Sequence, residues 1–445
     1  METRASGVEW LGDVPAHWEV RRIKDWLRVN QTVLPEDTDP DYEFHYIDIG
    51  AVQTGVLVRE PVRMRFGASP SRARRVLRNG DTIVSTVRTY LKAVWHVAAR
   101  GTDLVASTGF AVLTPRAQTE PAFVGHLCRS QPFTDCVMAQ SVGVAYPAIA
   151  ETRLSAVPVA IPPPEEQTAI VRFLDYLDRR IRRYIRAKEK LIATLEEQKQ
   201  AVIDQAVTGR IDVRTGRPYP AYKDSGAEWL GHKPAHWKVR KIRQCASISG
   251  GMTPRMEDRR FWNGDVPWVT PKDMKTMVIH DSRLRVTEAA LAETPLRLIQ
   301  PPAVLMVVRG MILARRVPIA RTTAPVTINQ DMKALRPRAA LNATYMASLL
   351  DCAHDGLFPL IDEAGHGTRR LPTERWRDLP IAIPPEAEQT AISRFVHHVT
   401  TTTTAATARA RRQAAVLREW RERLIADVVT GKLDVREATT TLPER

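Results

Sequence analysis

The chain has 445 residues, enough for two or three domains that each bury a core, and its 44% hydrophobic content is ordinary for a soluble globular protein. No apolar run reaches the roughly 18 residues of a membrane span, and the N-terminus lacks a signal-peptide core, so a cytoplasmic protein is expected. A net charge of +15 points to a polyanionic partner, nucleic acid first.

In chain order, residues 1–18 (METRASGVEWLGDVPAHW) form a short N-terminal clip that returns later. Trp10, Leu11, Gly12, Pro15, Ala16, His17 and Trp18 recur as Trp229, Leu230, Gly231, Pro234, Ala235, His236 and Trp237, 219 positions on. The His–Trp pair admits a metal or stacking role, but the simpler expectation is a structural clip whose Trp18 and Trp237 bury against a neighbouring sheet. Residues 19–160 follow as a first variable block of short β-branched runs (HYIDIGAV, GDTIVSTVRTYLKAVWHVA, GFAVLTP) with Gly, Pro, Asn and Asp between them. A helix pair is predicted around Pro121–Met138. His126 beside Cys128 is too little for a metal site. The four cysteines (Cys128, Cys136, Cys245, Cys352) have no CxxC spacing and read as reduced thiols.

Residues 161–214 open IPPPEEQTAI and close VTGRIDVR; residues 383–436 open IPPEAEQTAI and close VTGKLDVR. Gln167 matches Gln389 and Gly209 matches Gly431, both 222 positions on, so the interval repeats to the residue. Each copy predicts one long helix. The prolines lead in, Glu165 and Glu166 suit the positive N-terminus, and Gly209 supplies the stop. Ile170, Leu174, Leu177, Ile181, Tyr184, Lys188, Leu191, Leu195, Gln198 and Val202 alternate steps of four and three, the seam of a coiled coil. Roughly 40 residues at about 1.5 Å each make a rod of about 60 Å. The second seam is Ile392, Val396, Val399, Thr403, Ala406, Ala410, Gln413, Leu417, Trp420 and Leu424. Each stripe alone would face water, so each helix is the expected partner of the other. Thr400–Thr404, five β-branched residues in a row, is the weak place in the second helix.

Between the helices, residues 219–237 carry the second clip, and residues 238–382 repeat the variable block loosely. VPWVTPKDM, PAVLMVVRGMILARRVPIA and INQDMKALRP read as strands and ATYMASLLDC as a helix. Val87-Arg88 aligns with Val308-Arg309 and Leu113 with Leu335. A repeated frame with differing loops fits two binding modules that read different targets.

The order EWLG–PxHW, variable block, IPPPxEQxxI, long helix, VTGxI/LD, then all of it again, resembles the DNA-specificity (S) subunit of Type I restriction–modification systems, the HsdS family. GDTIVSTVR, ASTGF, INQDMKAL and GTRRLPTERWRDLPIAIPP also resemble strings of that family, and the likeness covers nearly the whole chain. It implies an α+β fold: two α/β target-recognition domains separated by two long antiparallel coiled-coil helices in a pseudo-twofold repeat. It implies that each domain reads one half of a split double-stranded DNA sequence. The partners would be two modification subunits, which supply S-adenosylmethionine and the adenine methyltransferase site. A restriction (motor-nuclease) subunit with ATP and Mg2+ would join them. No cofactor is expected on this chain itself.

The absent motifs agree with that division. There is no Asn/Asp-Pro-Pro-aromatic motif, no GxxxxGK[ST] loop and no HExxH or paired Cys/His site. A nuclease built from Pro40-Asp41 with Glu197 and Lys199 fails because those charges fall on the helix, where solvation is the default. A non-catalytic DNA-reading subunit is therefore expected. The alternatives are a basic nucleic-acid scaffold without a methyltransferase partner and the specificity subunit of a Type IIB-like system.

The resemblance, with the matched positions of the two blocks, nominates the DNA contacts. In the first block these are Arg88, Tyr90 and Lys92 after a strand, with Gln140, Ser141 and Tyr146 in the loop QSVGVAY. In the second they are Arg309, Arg315 and Arg316, with His366, Thr368, Arg369 and Arg370 in the loop GHGTRR. Base readout uses forked donors and amides on such loops, and phosphates take Lys, Arg and hydroxyls. Arg179, Arg180, Arg182, Arg183, Arg186 and Lys190 on the first helix, and Arg409, Arg411, Arg412, Arg418 and Arg421 on the second, have three possible uses: spacer phosphates, an acidic modification subunit, or a solvated face.

Overall fold

The computed structural model describes residues 2–98, 103–338, 341–363 and 367–443. They form two compact units that do not follow chain order. One comprises Met1–Glu189 with Arg411–Arg445, and the other Lys190–Ala410. Each unit thus holds one clip, one variable block, the start of the helix that follows that block and the end of the other helix.

In the first unit the block begins and ends on one antiparallel strand pair, Glu19–Arg22 against Pro158–Ile161. Inside it, Val94–His96, Thr82–Ser85, Phe110–Pro115 and Leu27–Val29 form one four-stranded sheet. Val62–Arg65, Glu43–Ile47, Leu104–Ser107 and Ala73–Leu77 form another. The expected helix pair is Pro121–Arg129 and Gln131–Ala139. Its buried face (Phe123, Val124, Leu127, Phe133) joins Trp18, Ile170, Leu174, Leu424 and Val428 in one core.

The second unit repeats the plan, with Lys238–Lys241 paired to Pro380–Ile383. Its larger sheet orders Ala246–Gly250, Met332–Pro337, Val304–Val307, Ile319–Thr322 and Val278–Ile279. ATYMASLLDC is helical as predicted, Ala343–Cys352, with Asn342 capping the amides of Thr344 and Tyr345. PAVLMVVRGMILARRVPIA is not continuous strand: Gly310, at a φ of 134°, lets the chain turn into a 3-10 segment over Met311–Ala314. Its counterpart in the first unit, Thr89–Leu91, is bounded by Arg88 and Lys92, both left-handed. Neither turn shows in the alternation of residue types.

The long helices span Pro164–Val207 and Glu386–Val429, 44 residues each, and the second runs through Thr400–Thr404 without a break. Flanking Ala-, Arg- and Gln-rich turns offset the weak propensity of the threonines. In the first unit Arg421 pairs with Asp178 and Arg418 with Glu189, an order that makes the two helices antiparallel.

The seam differs from the expected one by a phase. Past Ile181 the shielded positions are Ile185, Lys188, Ile192, Leu195 and Lys199, and on the second helix Thr407, Ala410, Ala414, Leu417 and Arg421. Tyr184, Leu191, Gln198, Ala406, Gln413 and Trp420, all expected inward, are exposed instead, Leu191 at 44% and Trp420 at 47%. Apolar residues stand at both adjacent positions of the first helix (Tyr184/Ile185, Leu191/Ile192), so its pattern permits either phase. On the second helix Thr407, Ala410 and Ala414 are at most 3% exposed, and these small residues mark the face that is buried there. Ile170, Leu174, Leu177, Ile181, Leu195, Ile392, Val396, Val399, Leu417 and Leu424 are shielded as expected. No helix among the described residues is long and apolar enough to cross a membrane.

Candidate nucleic-acid interface

The doubled phrases position everything else. Buried Gln167 donates from Nε2 to the Pro162 carbonyl at 2.8 Å and accepts the Glu120 amide at 2.9 Å. Gln389 does the same with the Pro384 carbonyl at 2.9 Å and the Asn342 amide at 2.7 Å. One side-chain amide thereby ties the entry of each long helix to the N-terminus of a block helix. The neighbouring carboxylates hold the clips: Glu166 meets His17 and Glu388 meets His236, each at 2.8 Å.

Trp18 and Trp237, each 2% exposed, bury as expected in cores that include strand residues, and each also abuts a glycine turn. Gly209 and Gly431, at φ of 79° and 75°, follow the long helices. A Cβ on Gly209 would lie 2.5 Å from Pro234, and one on Gly431 2.3 Å from Pro15, with Trp237 and Trp18 beside them. The PAHW and VTG phrases therefore fit one another across the repeat. The copies are not identical: the Trp237 indole donates to Glu388 at 2.9 Å, whereas the buried Trp18 N–H finds no partner among the described residues.

On this frame the nominated DNA contacts of the first unit come together. The exit loop pairs back on the strand turn through Val87, Ala148 and Val142. The Thr89 amide donates to Pro147 at 3.2 Å and its hydroxyl to Ser141 at 2.8 Å. The Arg88 guanidinium lies 5.1 Å over the Tyr146 ring. Tyr90 and Tyr146 project, at 50% and 66% exposure. Lys92 is turned away from this group and pairs with Asp135 on the adjacent helix. Gln140 and Ser141 are spent on Cys136 and the Val137 carbonyl, so they shape the loop.

The second unit makes the same apposition at matching positions. Arg309 bridges Arg370, 222 residues on from Val87 and Ala148, so Arg309 stands where Val87 does and not, as the sequence alignment has it, where Arg88 does; the Gly310 amide donates to the Arg369 carbonyl at 2.9 Å. Arg309, Arg315 and Arg370 are exposed; Arg369 pairs with Glu363 at 2.9 Å. Thr368 is half-buried in the hairpin loop, and His366 lies outside the described residues. Arg316 does not join the group: it lines a cavity of about 230 Å³ with Lys199, Ile203, Ser348, Asp351 and Thr400.

That cavity marks the junction of block and helices, which the two units build with different charges. In the first, His126 accepts from Arg129 at 2.7 Å and meets Asp175 at 3.1 Å. Burial, reinforced by Arg129, pushes the His126 imidazole down to about 4. Beside it Asp178 receives Arg421 and, at 2.7 Å, Arg182. Burial alone would raise the Asp178 carboxyl, but the Arg421 hydrogen bond and the charges of Arg421, Arg129 and Arg182 outweigh it and hold it below its ordinary value. Arg421 and Arg182 are thus not free for phosphates. In the second unit the positions 222 residues away are Ser348, Asp351, Thr400 and Lys199. Burial raises the Asp351 carboxyl, partly offset by Arg316 and Lys199, so Lys199 is not a solvated charge.

The residues that residue-type reasoning passed over are Glu166, Gln167, Glu388 and Gln389, although the doubled EEQ and EAEQ phrases marked the place. Among the described residues no group of three or more His, Cys, Asp or Glu could hold a metal ion, and the four cysteines are free.

Comparison with known proteins bears on this frame. The family model for the Type I restriction modification DNA specificity domain matches twice, over residues 15–196 and 234–414. The specificity subunit of the Type I restriction enzyme EcoR124I/EcoR124II of Escherichia coli is 27% identical over 42% of this chain and 45% of its own length. That of MjaIX of Methanocaldococcus jannaschii is 32% identical over 26% of this chain and 27% of its own. Each match spans less than half of the curated relative. Among solved structures, a chain of a type I R-M system studied for complex assembly and conformational transition aligns with a TM-score of 0.77 at 22% identity, covering 94% of this chain and 99% of that one. The HsdS subunit of Thermoanaerobacter tengcongensis aligns at 0.58 and 23% identity, covering 94% and 98%. At such identities these two likenesses concern the fold.

Proposed function

The chain belongs to the Type I restriction modification DNA specificity family, and we propose that it is the non-catalytic subunit that selects the DNA of such a system. Each unit reads one half of a split double-stranded target. The observation that carries this is the apposition made twice: strand turn and exit loop meet at Val87–Ala148 and again at Arg309–Arg370, with arginines and exposed side chains around both. A surface that only had to be basic would not need the same backbone contact at the same position in both units.

The long helices set the interval between half-sites and dock two modification subunits, which bring S-adenosylmethionine and the adenine methyltransferase centre. A restriction subunit with ATP and Mg2+ joins through them. Charges left exposed on the helices, among them Arg179, Arg183, Arg186, Lys190, Arg409, Arg411 and Arg412, are available to such a partner or to spacer phosphates. The test is sequencing of methyladenine in host DNA with and without this gene. A split motif that vanishes on deletion is expected. Methylation that does not change, with no methyltransferase co-purifying, would sink the reading in favour of a nonspecific basic scaffold.

A further inference from the structure

The two matched surfaces have different chemistry. In the first unit the loop tips present Tyr90, Val142, Val144 and Tyr146, with Val142 at 67% exposure and Val144 fully exposed, beside the Arg88 guanidinium, while Arg153 reaches the Gln140 carbonyl at the base of the loop. Apolar side chains at a loop tip are costly in water unless something covers them. The chain's charge of +15 and the arginine beside the patch favour a polyanion as that cover. The apolar feature of a DNA major-groove edge is the C5-methyl group of thymine. In the second unit the described residues of the equivalent surface include exposed Arg309, Arg315 and Arg370, with Met311 and Ile312, 75% and 37% exposed, as the apolar side chains that protrude among them. A guanidinium fork matches guanine O6 and N7.

We propose that the two half-sites are read by different chemistry: the first unit selects thymines through their methyl groups by way of Val142, Val144 and Tyr146, and the second selects guanines through Arg309, Arg315 and Arg370. This rests on the reading of the chain as a bipartite DNA selector. The backbone of the first loop is already fixed by the Val142–Ala148 bridge and by Thr89, so the tips are presented in place. The Arg88–Tyr146 stack places a cation beside the aromatic rim of the patch, where it can reach a phosphate.

The experiment uses the complex of this chain with its modification subunits and duplexes carrying the motif found by methylation sequencing. A V144D/Y146S variant assigns the halves, since it alters selection in one half only. In each half separately, thymines are replaced by deoxyuridine, which removes only the methyl group, or guanines by 7-deazaguanine, which removes only N7. Deoxyuridine in the first unit's half should weaken binding about fourfold for each thymine contacted. 7-Deazaguanine in the other half should weaken it roughly tenfold for each guanine read. The converse replacements should change little. Deoxyuridine that is neutral in the first half, or equally harmful in both, overturns the inference while the gene-dependent split motif leaves the proposed function standing. The absence of any gene-dependent split motif overturns both.

Discussion

Two junctions, 222 residues apart, meet the same packing requirement in opposite ways. In the first unit the block helix brings Arg129 and neutral His126 to the long helix, and Asp178 balances Arg129, Arg182 and Arg421. In the second unit the block helix brings the acid, Asp351, and the long helices bring Thr400 and Lys199. Backbone and frame repeat, whereas the charges do not. A buried charge is tolerable at such a joint provided that a counter-charge reaches it, from the long helices for Asp178, and for Asp351 from Arg316 of its own block and then from Lys199. What is preserved between the copies is therefore compensation rather than residue type.

The largest expected effect that sharpens this contrast is at Asp178. Asp178→Ala leaves Arg421 with Glu422 alone and takes the nearest acid from deeply buried Arg129, and should cost about 2–4 kcal/mol. Thr400→Ala, at the matching position, should stay within about 1 kcal/mol. Urea titration of the two variants checks both, and equal losses would break the comparison. Next is pH. The His126 imidazole is depressed from 6.5 to about 4, so the unfolded chain takes up a proton before the folded one does. Its contribution is complete above about pH 6.5 and is lost as the pH falls to about 4, a difference of about 3 kcal/mol. His126→Ser, which copies the second unit, should flatten that part of a stability–pH profile. A profile that keeps its slope would place the titration elsewhere. The smallest effect concerns the seam: Leu191→Ala and Trp420→Ala should each change stability by about 0.5 kcal/mol or less, whereas Ile192→Ala should cost about 2 kcal/mol. Thermal melts that rank Leu191 above Ile192 would restore the phase read from periodicity.

The seam also shows how far the sequence could be read. The repeat interval and the helix ends at Gly209 and Gly431 were legible, because they rest on identities spaced along the chain; that Arg88 meets the QSVGVAY loop was not, since the resemblance named both as contacts without joining them. The phase of the coiled coil was not. Ile185 stands beside Tyr184 and Ile192 beside Leu191, so the apolar pattern fits two faces, and on the opposite helix the small residues Thr407, Ala410 and Ala414 mark the buried one. Gln167 was passed over for another reason: an uncharged amide on a helix carries no sign that both of its ends will be used. Lys92 and Arg316 were read with the DNA contacts, but each follows a 3-10 turn that the alternation did not show, and they turn instead to Asp135 and the junction cavity.

Both variable blocks enter and leave through one antiparallel strand pair, Glu19–Arg22 with Pro158–Ile161 and Lys238–Lys241 with Pro380–Ile383. The two leads of each block therefore lie side by side, like the prongs of a plug. For heredity this means that crossing over within the near-identical phrases at the leads can replace everything between them while the socket keeps its bonds. Mutation inside a block answers to its own core and its target, and mutation in the leads answers to the whole protein. The pace of divergence along the gene should accordingly change abruptly at four places, each of them a strand in this fold.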